Sequence, residues 1–332
     1  MRKYLLSTSA LAGAALLSTA AVADVTISGE AEFDYSSRDH STAANDGNNM
    51  TSVQEVHINF TNKTDSGLTI SATNQFNTIS GGSDDVSISI EGGFGKLVLG
   101  PTDGVAGVYE MNPLALLQEE DAGTLNSGGG ASTTTATIGT STGGGEANGN
   151  SKVSYHLPAI GGLTAGVSMD TSATVAGTDD KTQFGANYAL TAGGAAVTLG
   201  YSASTTEVAS ATDVDITSMG IKIVHGNLSF MAADGSYTAA DEDRSTQSAA
   251  VSYTLANGLT IGYGTVQSED DLDVGEEYTA NHYEASYTIA SGLTAVVNVS
   301  DFDYKVATST HENGTTAINQ DGTTTSLTIK AA

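Results

Sequence analysis

Carboxylates are the reactive groups this chain holds in quantity. Of its 332 residues, 38 are Asp or Glu and 11 are Lys or Arg, a formal charge of −27 at pH 7. Many stand in runs: Glu119-Glu120-Asp121 with Glu110 upstream, Asp84-Asp85, Asp179-Asp180, Asp213 with Asp215, Glu269-Asp270-Asp271 with Asp273, and Glu276-Glu277. Oxygen-rich clusters of this kind suit a hard cation such as Ca²⁺. They are equally what a solvated loop surface looks like. The run from Asp271 has its glycine misplaced and His282 at the final ligand position, so it is no EF-hand. Covalent and acid–base catalysis are poorly provided for. The six His include no HExxH pair, and no GxSxG elbow, phosphate loop or dinucleotide fingerprint occurs. The absence of Cys removes disulfides, thiol catalysis and Cys-ligated metals. An enzyme is not expected. Nor is a nucleic-acid partner, because so acidic a chain has little with which to replace the counterions of a phosphate backbone.

The elements that must position these charges are strands. Residues 1–23 read as a signal peptide: Arg2 and Lys3, a mostly apolar stretch from Leu5 to Ala21, then the small-x-small site Ala21-Val22-Ala23. Cleavage near Ala23 would start the mature chain at Asp24. From there, Val25, Ile27, Ala31, Phe33 and Tyr35 alternate with Thr26, Ser28, Glu30, Glu32 and Asp34. A period of two with one apolar and one polar face is a strand between two environments. The pattern occurs sixteen times in all, as in Val56/Ile58/Phe60, Phe184/Ala186/Tyr188, Val251/Tyr253/Leu255 and Leu327/Ile329/Ala331.

The connections alternate as well. Tight Gly-containing turns fall at 64–67, 93–95, 158–162, 191–194, 226–227, 256–258 and 290–292. Longer polar segments fall near 39–52, 79–85, 101–150, 170–180, 204–213, 236–244, 267–276 and 304–322. Both chain ends then lie on the tight-turn side, where the last strand can pair with the first. An even-stranded, closed antiparallel barrel follows. Sixteen strands enclose a lumen too wide for side chains to fill, so the lumen is wet and the apolar face points outward into lipid. The fold class is an all-β, 16-stranded transmembrane β-barrel with short periplasmic turns and long extracellular loops. Tyr155, Tyr188, Tyr253 and Tyr287, each two residues before Leu or Ile, read as an interfacial girdle. By strand parity Glu30, Glu32, Asp34, Glu55, His57, Glu91 and His282 point inward, as do Lys96, Lys152 and Lys222.

Four stretches resemble the general outer-membrane porins of Gram-negative bacteria. They are the strand Asp24–Glu30, the turn Asn62–Leu68, Gly93–Gly100 leading into the third long loop, and Asn150–Pro158 with Gly162-Leu163 leaving it. The resemblance implies one barrel over 24–332, with 101–150 as a constriction loop folded into the lumen. It implies acidic loop residues, here Glu110, Glu119, Glu120 and Asp121, facing basic wall residues, for which Arg38, Lys96, Lys152 and Lys222 are the candidates. Glu30, Glu32, Asp34, Glu55 and Glu91 would form the acidic wall. The implied function is passive diffusion of small hydrophilic solutes through a homotrimer set in outer-membrane lipid and lipopolysaccharide. With so few bases, a cation preference is expected. No cofactor is expected; solvated loop surface is the favoured reading of the acidic runs, and Ca²⁺ held by loop carboxylates is the alternative to it. A secreted acidic surface-layer or adhesin-type β protein shares the composition, but a solenoid of that kind shows one fixed repeat length.

Overall fold

A computed structural model describes residues 24–41, 46–79, 83–117, 151–171, 180–207, 212–240, 243–270, 276–306 and 318–332. The expected signal peptide and Glu119, Glu120 and Asp121 lie outside the described residues. The strands are β1 (Asp24–His40), β2 (Gly47–Lys63), β3 (Thr69–Asn77), β4 (Ser83–Gly92), β5 (Gly95–Pro101), β6 (Ser151–His156), β7 (Leu163–Thr171) and β8 (Asp180–Ala192). The second half comprises β9 (Ala195–Thr206), β10 (Val214–His225), β11 (Leu228–Thr238), β12 (Asp243–Thr254), β13 (Leu259–Asp270), β14 (Glu276–Ala290), β15 (Leu293–Val306) and β16 (Ile318–Ala331). Each strand pairs antiparallel with the next, and β16 returns to β1 with Ala331 opposite Ala31 and Leu327 opposite Tyr35. The sheet therefore closes, and no strand leaves a row of unpaired amides toward lipid.

Alternation decides the faces. On β14, Tyr283 and Tyr287 are 50% and 46% exposed on the outside, while His282, Glu284 and Ser286, of the opposite parity, are buried. Val25, Ile27, Met169 and Ile261 are likewise exposed large apolar groups, which are unfavourable in water and stable in hydrocarbon. Tyr188, Tyr253 and Tyr287 face out near the tight turns, and Tyr155 donates its hydroxyl to the Phe94 carbonyl. At the first turn the Thr64 amide donates to the Leu68 carbonyl and the Gly67 amide to Thr64, with Gly67 at φ 86°. That left-handed backbone is open to Gly at no steric cost.

Two expectations are corrected. The long connections are shorter than the alternation suggested: β1 runs to His40 and β2 starts at Gly47, where a loop over 39–52 was expected. Outside the bilayer both faces of a strand meet water, so the apolar period ends while backbone pairing goes on. The lumen also carries an apolar lining. Met231, Val266, Tyr278, Val296, Phe302 and Tyr304 have inward parity and are buried. Tyr278, Ala280, Phe302 and Tyr304 pack together, and Tyr304 donates to Glu276 Oε1 at 2.8 Å. Along β14–β16 the inner face is close-packed, with Asn298, Ser300 and Thr328 at 1% exposure or less.

Candidate functional site

The described part of the third long connection, up to residue 117, lies inside the barrel. After Gly100 the chain leaves β5 and forms helix α1 (Val105–Tyr109) and a 3₁₀ turn (Pro113–Leu116). Helix α1 lies against β7, β8 and β9, and the 3₁₀ turn against β11, β12 and β13. The segment thus runs along the inner wall over nearly half of its circumference. Side chains on that wall hold its backbone: the Val105 amide donates to Ser168 Oγ at 2.9 Å and the Ala106 amide to Gln183 Oε1 at 2.8 Å. Asn112 caps the 3₁₀ turn by accepting from the Leu114 amide at 3.1 Å, and Pro113 supplies a pre-set φ beside it.

Glycines on the inward face make room for this segment. A Cβ at Gly185 would sit 2.6 Å from Tyr109 Cβ, and one at Gly166 would touch the same ring. Gly200 and Gly220 lie under Met111, Gly264 under Leu114 and Gly262 under Leu117. Met111 packs with Met231 and Ala233, while Leu114 and Leu117 pack with Val266. Full burial of side chains this size is worth roughly 1.5–3 kcal/mol each, enough to hold a short segment in place. The Tyr109 hydroxyl lies 3.2 Å from His156 Nδ1, and burial pushes the Tyr109 phenol above its usual range. Gly185→Val should therefore unseat Tyr109, at a cost of about 1–3 kcal/mol for overpacking. The expected result is a barrel with its β circular-dichroism signature intact and a changed, noisier single-channel conductance. Conductance and noise identical to the parent would contradict this seat.

Opposite strands carry the acidic wall. Glu30, Glu32 and Asp34 alternate along the inward face of β1, and Glu55 faces Glu30 from β2. Lys330 lies 3.2 Å from Glu32, and Thr328 donates to Asp34 Oδ1 at 2.9 Å. Glu91 stands opposite Lys96 at the β4–β5 turn. The four basic candidates do not gather into one patch. Arg38 is near the upper end of β1, and Lys96 and Lys152 lie at opposite ends of the β5–β6 pair. Lys152 is buried, with its ammonium 3.9 Å from Asp170. Lys222 sits on β10, between strands that the inward segment packs on rather than across from it. Glu110 ends α1 inside the barrel; the other three expected constriction carboxylates are outside the described residues. His282 is buried on the inner wall, its Nδ1 2.8 Å from Ser300 Oγ, which donates onward to Asn298 Oδ1 at 2.6 Å.

Sequence reasoning missed the residues that seat the loop. The signal was present in Gly166, Gly185, Gly200, Gly220, Gly262 and Gly264. All are strand glycines of inward parity, where a missing side chain marks close approach of another segment.

A family model described as Gram-negative porin matches residues 7–307. None of the curated proteins matches the chain. Among solved structures, a porin refined at 1.8 Å is similar with TM-score 0.61 and 18% identity, covering 93% of this chain and 99% of that one. The anion-selective porin of Comamonas acidovorans gives TM-score 0.62 at 13% identity over 92% of this chain and 100% of its own. The trimer form of OmpT, an outer-membrane protein of Vibrio cholerae, gives 0.60 at 13% identity over 92% and 99%.

Proposed function

The chain belongs to the Gram-negative porin family, and we propose that its lumen passes small hydrophilic solutes by passive diffusion with a preference for cations. The protein is an outer-membrane porin channel; what it prefers to pass is the proposed part. The observation that carries the preference is the ladder of Glu30, Glu32 and Asp34 on β1 with Glu55 beside it, where Lys330 approaches Glu32. Carboxylates lining a low-dielectric wall focus a negative potential across the passage and raise the local concentration of cations. Lys152, which would oppose that potential, is buried against Asp170. No step of bond making is assigned to any lumen residue, in keeping with a family of channels rather than enzymes.

The same proposal includes a homotrimer, a state named for OmpT of Vibrio cholerae, and removal of residues 1–23 on export. It also includes contact of the outer loop carboxylates with lipopolysaccharide through Ca²⁺. Purified protein in a planar bilayer tests the central part. A large, ohmic conductance with a reversal potential of cationic sign under a KCl gradient is expected. A reversal potential of anionic sign would overturn the preference, and the absence of conductance would overturn passive diffusion through this lumen.

A further inference from the structure

Within the acidic wall, one group has a make-up that charge alone does not explain. Glu30 on β1 stands directly opposite Glu55 on β2, and His57 follows two residues along the same face. One ligand atom from each of the three lies within 4.8 Å of the others. Like charges directly opposite on neighbouring strands repel, yet here the carboxylates converge. The Gln75 amide of β3 donates to Glu55 Oε2 and fixes its orientation. His57 Nε2 lies 3.3 Å from that same oxygen. The nitrogen is closed off from solvent, and its approach to Glu55 does not have hydrogen-bond geometry. An imidazole nitrogen and a carboxylate oxygen held side by side in this way resemble two ligands of one ion. In a tetrahedral shell with bonds of 2.0–2.1 Å, adjacent ligands are about 3.3 Å apart.

We propose that Glu30, Glu55 and His57 form a binding site for a divalent transition-metal ion, with Zn²⁺ the best fit, on the lumen wall. The mixed nitrogen and oxygen set selects zinc over Ca²⁺ or Mg²⁺, which take oxygen ligands. Three protein ligands leave the fourth position to water from the lumen. Glu30 is exposed to that lumen and provides the entry path. Gln75 orients the Glu55 carboxylate, as an outer-shell partner does in zinc sites. A bound ion would cancel the charge of the Glu30–Glu55 pair and weaken the wall's hold on permeating cations.

The site rests on the geometry of β1–β3 and not on which solutes pass, so its test uses no conductance. Detergent-solubilised full-length protein is titrated with ZnCl₂, and separately with CaCl₂, by isothermal calorimetry. One saturable Zn²⁺ site per chain is expected, without a matching Ca²⁺ site. His57→Gln should weaken it by at least about tenfold, with folding verified by circular dichroism. Should that variant not fold, Glu30→Gln, which alters an exposed side chain, is expected to show the same loss. Absence of saturable Zn²⁺ binding below millimolar concentration in the parent, or a folded His57→Gln protein binding as tightly as the parent, would overturn the proposal.

Discussion

Changing Glu30, Glu32 and Asp34 together to Lys is expected to reverse the sign of the channel's ion preference. The three side chains share the inward face of one strand, and the triple change moves that wall by about six charges in a region where low-dielectric walls concentrate the field. The Lys330–Glu32 contact and the Thr328–Asp34 hydrogen bond are lost. The ion pair is about one-third exposed on both sides, so its loss costs little, within the ~0–1 kcal/mol usual for such pairs. Folding should survive while the potential inverts. Reversal potentials under a KCl gradient, measured on parent and variant in the same lipid, read the effect. An unchanged cationic sign would mean that the passage is controlled elsewhere.

Leu327→Arg should destabilise the barrel by up to about 2–4 kcal/mol, the ceiling for a cation set into the lipid face at the bilayer midplane. Leu327 lies on β16 between Val297 of β15 and Tyr35 of β1, and all three share the outer face. Leu327 and Val297 are 44% and 46% exposed on the bare barrel. Thr328, one residue on, is fully buried on the inner face. Urea unfolding in lipid vesicles measures the change as a shift in midpoint at constant slope. A variant as stable as the parent would show that this face does not meet hydrocarbon.

The strands were legible because lipid is a uniform solvent that touches every second residue. Val25, Ile27, Phe33 and Tyr35 carry that signal, and the pairing of β1 with β16 follows from counting turns. What stayed hidden depends on neighbours rather than on solvent. The ends of β1 and β2 run on through residues polar on both faces. Phe302 and Tyr304 point inward because other aromatic rings and Glu276 await them there. The seat of the inward segment is written in missing side chains, and Gly185 or Gly200 in a strand reads as weakness until Tyr109 or Met111 is laid over it. The dispersal of Lys96, Lys152 and Lys222 was also invisible, since parity fixes which face a residue is on but not which part of the circumference.

Because the chain has no Cys, a single engineered one reports without interference, and the pair Ile261→Cys and Lys96→Cys tests the orientation of the sheet most directly. Each is labelled with bimane and folded into vesicles, then exposed to brominated lipid and to aqueous iodide. The outward Ile261 position is expected to be quenched by brominated lipid and the inward Lys96 position by iodide. The opposite pattern, with iodide reaching residue 261 and brominated lipid reaching residue 96, would contradict a wetted lumen enclosed by a lipid-facing wall.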